Sequence, residues 1–174
     1  MKRLLLLRHA KAAPGIGRDD FERELTASGE VDARGIGDFL ASHDLIPELI
    51  LYSGARRTRE TAEIVIGRLN GEVERQENNG LYDASRYLIL ALLRQISDKF
   101  ATVLVVGHNP GMSEVAYSLS GAGDKPIRQR LAAKYPTCGL AVLEFEGDSW
   151  AGLAAHVARL EAFVTPADLG LRES

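Results

Sequence analysis

Three runs of apolar residues divide the chain, and a polar segment follows each of them. The runs cover residues 4–7, 49–52 and 101–106. Apolar runs without alternation are typical of strands buried on both faces, as in parallel sheets. Between the runs, apolar residues recur at helical spacing and predict helices over 28–42, 57–69, 85–98 and 111–120. The pattern therefore predicts an α/β fold, a three-layer sandwich with a mostly parallel sheet and helices on both faces.

The remaining segments predict smaller features. Residues 73–76 form a short edge strand, 138–145 and 156–163 form the last two strands around a turn at 146–149, and 121–134 form a polar, basic loop. Thr26 is a plausible N-cap for the first helix. The residues expected on the inner faces of the helices over 28–42 and 85–98 are Val31, Ala33, Ile36, Phe39, Leu40, Leu88, Leu92, Ile96 and, beside them, Leu93.

Composition limits the classes of function. A chain of 174 residues predicts one domain over 1–174, and its net charge of −3 gives no general attraction to nucleic acid or to an anionic membrane. The single cysteine, Cys138, excludes an internal disulfide, and we expect it to be a buried structural thiol. With no signal peptide in the sequence, we expect a cytoplasmic, monomeric protein.

Arginine and histidine stand where the three buried runs end. Arg8 and His9 follow the first run, Arg56 and Arg57 follow the second, and His108 follows the third. The carboxyl ends of parallel strands meet at the edge of the sheet where ligands bind. Arginine in the first turn of a helix opposes the helix dipole unless an anion lies beside it. These positions predict a phosphate-type anion site.

The residue types at this site favour phosphoryl transfer without a metal or a cofactor. The sequence has no Gly-rich phosphate loop and no carboxylate cluster for Mg²⁺, and the arginines would repel a metal dication. Guanidinium groups match the oxygens of a transferring phosphoryl group and lower the pKa of a nearby imidazole. A neutral histidine can attack phosphorus and form a phosphohistidine that water hydrolyses.

Four segments together resemble a known family. Residues 8–10, Arg-His-Ala, resemble the Arg-His-Gly signature of the histidine phosphatase superfamily, which includes the phosphoglycerate mutases. Residues 23–29 resemble its Arg-x-Leu-Thr-x-x-Gly stretch, 53–62 its Ser-x-x-x-Arg-Ala-x-x-Thr segment, and 105–109 its second-histidine strand. The short chain, with no cap insertion, is most similar to the small phosphohistidine phosphatases of the SixA type. The resemblance implies a phosphoglycerate mutase-like fold.

The resemblance also implies roles for individual residues. His9 is the nucleophile, Arg8 and Arg57 hold the phosphoryl oxygens, and His108 donates a hydrogen bond to them. Arg57 is chosen over Arg56 because it stands four residues after the serine of the motif.

The residues for the general acid and for the rim of the substrate site match the family pattern less closely. Mutase-like members carry a glutamate where this chain has Asp83, and the other branch carries an aspartate where it has Asn109. Asp83 is therefore either the general acid or a solvated loop carboxylate. Arg23 is a candidate for the rim of the substrate site, and the alanine at position 10 replaces the usual glycine.

The family resemblance favours a metal-independent phosphatase, acting on phosphohistidine of phosphotransfer proteins. Two alternatives remain open: a phosphomonoesterase for a small metabolite, and a module that binds phosphate without turnover. The expected partner is accordingly a phosphorylated protein or a small phosphate ester. Two histidines argue against the binding module, because binding alone needs only the arginines.

Overall fold

One mixed sheet organises the chain in a computed structural model that describes residues 1–172. Its strands and helices alternate along the sequence. The elements in chain order are β1 (Lys2–Arg8), α1 (Ala27–Ser42), β2 (Leu49–Tyr52), α2 (Arg56–Gly67), β3 (Glu74–Glu77), α3 (Arg86–Arg94), β4 (Thr102–Gly107), α4 (Gly111–Leu119), β5 (Ser120–Gly123), α5 (Lys125–Ala133), β6 (Leu140–Phe145) and β7 (Ala158–Val164).

The strand order places the three sequence runs side by side. Across the sheet the strands lie in the order β3-β2-β4-β1-β6-β7-β5. Each neighbouring pair is parallel except the two that involve β6, which runs against β1 and β7. The prediction of a mostly parallel sheet is confirmed, and the carboxyl ends of β2, β4 and β1 are adjacent.

Strand β1 lies at the centre of the core because its side chains are buried on both faces. Leu4 and Leu6 pack into one apolar cluster with residues of α3, α4 and α5. Leu5 and Leu7 pack into a second cluster with residues of α1 and α2. All four leucines are fully buried. The sheet is therefore the middle layer of a three-layer sandwich, as the pattern predicts.

The helices form where expected, but two of the residues predicted to face the core point outward. Thr26 caps α1 by accepting a hydrogen bond from the Gly29 backbone. Val31 and Leu88 are each more than 40% exposed, and Ile89 is the buried residue at the start of α3. Several apolar positions compete at helical spacing, and packing against the sheet selects among them. No helix within residues 1–172 is long and apolar enough to cross a lipid bilayer.

The predicted basic loop over 121–134 is wrong, because this segment forms β5 and α5. Asp124 caps α5 through the Ile127 backbone, Pro126 lies in its first turn, and Leu131 is buried. These are ordinary helix-start signals, hidden among charged residues that face solvent.

The last two strands also begin two residues later than predicted. Cys138 and His156, the predicted first residues, have positive φ angles of 60° and 62° and so cannot continue an extended strand. The predicted turn between these strands is followed by a 3₁₀ helix at Trp150–Gly152.

Candidate active site

The edge formed by β2, β4 and β1 brings the predicted site residues together. His9 follows β1 directly, His108 follows β4, and Arg57 lies in the first turn of α2, five residues after β2. The ring centroids of His9 and His108 are 5.3 Å apart. Both rings and Arg57 are nearly buried, whereas Arg8 is partly exposed. Separate segments of the sequence thus converge on one pocket.

The hydrogen bonds of His9 determine which of its ring nitrogens can react. Nδ1 lies 2.8 Å from the Ala10 carbonyl oxygen, which only accepts, so Nδ1 carries the proton. Burial lowers the pKa of His9 to about 3, and nearby cationic groups act in the same direction. The ring is therefore neutral at pH 7. Nε2 has no hydrogen-bond partner among residues 1–172 and keeps a free lone pair.

The backbone beside His9 is held by the motif residues that the sequence analysis left without a role. The Thr61 hydroxyl accepts a hydrogen bond of 3.0 Å from the Ala10 N–H, and the Cys138 N–H donates to the His9 carbonyl at 3.0 Å. A Cβ on Gly29 would lie 2.2 Å from the Lys11 carbonyl oxygen. Glycine at this position therefore lets the start of α1 approach the chain after His9.

Arg8 is anchored by the carbonyl group of Tyr135. Its Nη1 donates to that oxygen at 3.1 Å, and the Asn109 side chain donates to the same oxygen at 2.9 Å. The Tyr135 hydroxyl donates in turn to the Leu6 carbonyl of β1. The Arg8 Nε is buried and has no partner within the described residues. Arg8 is thus fixed at one end, and Nη2 and Nε remain available to an anion.

Arg57, rather than Arg56, points into the pocket. Arg57 is 3% exposed, and its Nη2 donates to Nδ1 of His108 at 3.3 Å. Arg56 lies outside and pairs with Glu60 at 2.7 Å. The arginine that the motif spacing selects, Arg57, is therefore the one whose guanidinium group is buried. Ala55 at the start of α2 offers no side-chain cap to the first amides of the helix.

Asp20 belongs to the site, and sequence reasoning missed it. Its carboxylate accepts from Arg57 Nη2 at 3.1 Å, and its backbone carbonyl accepts from Arg57 Nη1 at 2.7 Å. The hydrogen bond from the Tyr82 hydroxyl, followed by the charge of Arg57, lowers the pKa of Asp20 to about 2. In the substrate-free protein, the Asp20 carboxylate is thus the anion that binds the Arg57 guanidinium group.

Asp83 lies in solvent, the second of its two predicted settings, and Arg23 lies at the rim of the pocket. Asp83 is exposed, with a positive φ of 51°, and makes no hydrogen bond or ion pair within the described part of the chain. Arg23 donates from Nε to the Asp20 carboxylate at 3.0 Å and from Nη1 to the Ala13 carbonyl at 3.0 Å. The structure therefore brings Asp20 to the pocket as its carboxylate and leaves Asp83 in solvent. Arg23 lies at the rim, behind Asp20.

His108 also departs from the expected arrangement. Burial, followed by the charge of Arg57, lowers the pKa of His108 to about 4, so its ring is neutral at pH 7. Nδ1 accepts from Arg57, and Nε2 lies 2.6 Å from the Ser53 hydroxyl. His108 can donate to a phosphoryl oxygen only from Nδ1, once that atom has taken up a proton. The negative charge of a bound phosphoryl group favours the uptake of this proton from solvent.

No metal cluster forms from the side chains of residues 1–172. No three His, Cys, Asp or Glu residues lie together there in an arrangement that could hold an ion. The groups that face the pocket are instead two guanidinium groups, two neutral imidazoles and the Asp20 carboxylate. Such a set can bind a phosphoryl group and supply a nucleophile to it.

Comparisons with known proteins agree with this geometry. The profile of the histidine phosphatase superfamily (branch 1) matches residues 4–84. An uncharacterized chloroplastic protein of Arabidopsis thaliana is 35% identical over 162 residues, which cover 86% of this chain and 69% of that protein. The solved structure of SixA from Agrobacterium tumefaciens is 32% identical, with a TM-score of 0.80 over 95% of this chain and 98% of that chain. A SixA structure from Nakamurella multipartitia is 28% identical, with a TM-score of 0.83 over 95% and 96%.

The segment that matches the family, residues 4–84, includes Arg8, His9 and Arg57, and the similarity to the solved structure from Agrobacterium tumefaciens covers 95% of this chain. The convergence of these side chains at one sheet edge is the arrangement that the resemblance implies. The chain belongs to the histidine phosphatase superfamily, branch 1, and is a phosphohydrolase.

Proposed function

We propose that this protein is a metal-independent phosphatase that forms a phosphohistidine on His9 and removes phosphate from histidine on phosphotransfer proteins. The observation that carries the proposal is the hydrogen bond from His9 Nδ1 to the Ala10 carbonyl. It leaves Nε2 with a free lone pair in a pocket that contains Arg8 and Arg57. A neutral imidazole beside two guanidinium groups is the pairing of nucleophile and charge stabilisation that phosphoryl transfer requires.

The first step transfers the phosphoryl group to His9. Nε2 attacks phosphorus while the bond from phosphorus to the substrate breaks, and the electron pair of that bond leaves with the substrate group. Arg8, Arg57 and protonated His108 surround the phosphoryl oxygens, whose charge they stabilise. A phosphohistidine substrate whose other ring nitrogen carries a proton releases neutral imidazole, whose conjugate acid has a pKa of about 6.5, so this leaving group departs with little help from an acid of the enzyme.

The second step returns the enzyme to its starting state, and Asp20 acts as the general base. Water attacks phosphorus, the bond to Nε2 breaks, and Nε2 regains its lone pair. The Asp20 carboxylate adjoins Arg57, takes the proton of the water and passes it on to solvent. The phosphoryl group displaces the Asp20 carboxylate from Arg57, which frees that carboxylate to bind water.

The exposure of the pocket rim favours a protein as the substrate. The Asp20 side chain is 49% exposed, and Ile16 in the same loop is 92% exposed. The proteins from Agrobacterium tumefaciens and Nakamurella multipartitia are named as phosphohistidine phosphatases, which points to the same class of substrate. A phosphoryl group on a protein surface can enter such an open rim, whereas a small metabolite gains most from an enclosed pocket.

Substrate comparison in the presence of EDTA tests this proposal. We expect the highest kcat/KM on a phosphohistidine protein, lower values on a phosphoserine peptide and on small phosphate esters, and no loss of rate with EDTA. A metabolite ester with the highest kcat/KM would contradict the phosphohistidine assignment and favour the phosphomonoesterase. Binding of all substrates without turnover would contradict catalysis.

Asp20→Asn is expected to slow the second step more than the first. The amide cannot take a proton from water, and loss of general base catalysis typically costs roughly 10²–10⁴ in rate. The phosphoenzyme should therefore accumulate, and the KM should fall because a neutral side chain competes less with the phosphoryl group for Arg57. Rapid-quench measurement of phosphoenzyme during turnover tests both expectations.

Two neighbouring variants serve as controls for Asp20. Asp19→Asn changes the adjacent exposed carboxylate and keeps a side chain that can accept from the Phe21 backbone, so its kinetics should match those of the wild type. Asp83→Asn should also have little effect, since Asp83 lies in solvent. A greater loss with Asp83→Asn than with Asp20→Asn would restore Asp83 as the acid.

A further inference from the structure

Ser53 and Thr58 form a buried chain of hydroxyl groups behind His108. Ser53 Oγ lies 2.6 Å from Nε2 of His108 and 2.7 Å from Oγ1 of Thr58. Thr58 Oγ1 lies 2.7 Å from the Ala55 carbonyl oxygen and 2.8 Å from that of Ser53. Neither Ser53 nor Thr58 is accessible to solvent. The mechanism proposed above assigns no role to either hydroxyl.

The groups at the two ends of this chain of hydroxyl groups determine which atom donates and which accepts in each of its hydrogen bonds. Arg57 can only donate, so Nδ1 of His108 accepts and its ring proton lies on Nε2, which donates to Ser53. Ser53 also receives the Ala55 N–H at 3.4 Å, so its own proton goes to Thr58. Thr58 can then donate only to a carbonyl oxygen. The hydrogen bonds run one way, from Arg57 through His108, Ser53 and Thr58 to the backbone.

We propose that Ser53 and Thr58 are positioning residues that hold the His108 ring with its proton on Nε2, so that Nδ1 faces the transferring phosphoryl group. The inference rests on the proposed function for its kinetic consequences, but not for the state of the ring in the free protein. The chain accommodates both forms of the ring, because Nε2–H donates to Ser53 whether Nδ1 is protonated or not. His108 can therefore gain and lose a proton at Nδ1 without turning.

A matched pair of variants at Thr58 separates the effect of its hydroxyl group from the effect of the rest of its side chain. Thr58→Val keeps the shape of the side chain and removes the acceptor for the Ser53 proton. The Ser53 hydroxyl should then turn and donate to Nε2, which moves the ring proton to Nδ1, breaks the hydrogen bond from Arg57 to Nδ1 and leaves Asp20 as the acceptor for Arg57 Nη2. Thr58→Ser keeps the hydroxyl and should keep the wild-type state.

Nitrogen NMR of the imidazole rings in the substrate-free protein at pH 7 measures this directly. We expect His108, assigned by the loss of its signal in His108→Gln, to carry its proton on Nε2 in the wild type and in Thr58→Ser. In Thr58→Val we expect the proton on Nδ1. A wild-type ring protonated on Nδ1 would overturn the inference, and this measurement remains decisive even if Thr58→Val does not fold.

Kinetics with the phosphohistidine protein supply the second measurement. In Thr58→Val the ring accepts from Ser53 at Nε2 and so cannot become a cation beside the phosphoryl group unless the Ser53 hydroxyl turns again. We therefore expect kcat to fall by roughly 10-fold to 100-fold, as is common for partners that orient a reacting side chain from behind. Thr58→Ser should retain the kcat of the wild type. Equal kcat values and equal ring states in the two variants would show a structural role alone. If no phosphohistidine forms on His9, the NMR result stands by itself, so the two proposals fail separately.

Discussion

His9→Ala is expected to lower kcat by at least roughly 10⁴-fold, the largest effect of any single substitution in this chain. Alanine removes Nε2, the atom that attacks phosphorus, and no other side chain among residues 1–172 replaces it in the pocket. His108 cannot take over, because Arg57 donates to its Nδ1 and Ser53 engages its Nε2. Steady-state assays on a phosphohistidine protein measure the loss.

Trapping the phosphoenzyme tests the same prediction by showing what kind of residue carries the phosphoryl group. Wild-type protein denatured without acid after brief incubation with labelled substrate should retain a phosphoryl group that is labile to acid and stable to base. His9→Ala should retain none, whereas His43→Ala should behave as the wild type because His43 is exposed at the end of α1. Turnover by His9→Ala at the wild-type rate would refute the nucleophilic role.

Arg57→Ala is expected to lower kcat by roughly 10²–10³, or about 2.7–4 kcal/mol of transition-state stabilisation. Arg57 is buried beside the reacting groups, where its charge is little screened. The substitution also removes the donor to His108 Nδ1 and the partner of Asp20. Arg57→Lys should recover only part of the rate, because an ammonium group cannot reproduce the planar fork.

Arg56→Ala is the matched control, one residue away on the same helix. Arg56 is exposed and pairs only with Glu60, and exposed ion pairs contribute between 0 and about 1 kcal/mol to stability. Its kcat should stay close to that of the wild type. If Arg56→Ala were the more damaging change, the assignment of the motif would be wrong by one residue.

Much of the architecture could be predicted from the sequence because it depends on burial along the chain. Runs without polar alternation at 4–7, 49–52 and 101–106 correspond to β1, β2 and β4, the three adjacent strands whose ends hold the site. The positions of Arg8, His9 and His108 follow directly from these runs, and the family motif distinguishes Arg57 from Arg56. A strand that is apolar on both faces can lie only inside a sheet covered on both sides, so its polar end must emerge at the sheet edge.

The predictions of secondary structure that failed concern segments whose local sequence does not clearly favour one conformation. The segment 121–134 looks like a loop because charged residues surround the few apolar side chains of α5. The starts of β6 and β7 were set too early because nothing in the sequence shows that Cys138 and His156 adopt positive φ. Tertiary contacts fix these conformations, and local propensity is too weak to oppose them.

The sequence by itself determined the fold class, the family and the four side chains that converge at the end of β1. Only the tertiary structure decided which carboxylate joins them and which nitrogen of each histidine is free. Asp20 begins a short 3₁₀ helix, Asp20–Glu22, which is held against Arg57 and Tyr82, residues far from it in the chain. The ring protons depend on single contacts of His9 with Ala10 and of His108 with Ser53. Hydrogen bonds act over about 3 Å with a required direction, so they are defined only once the chain has folded.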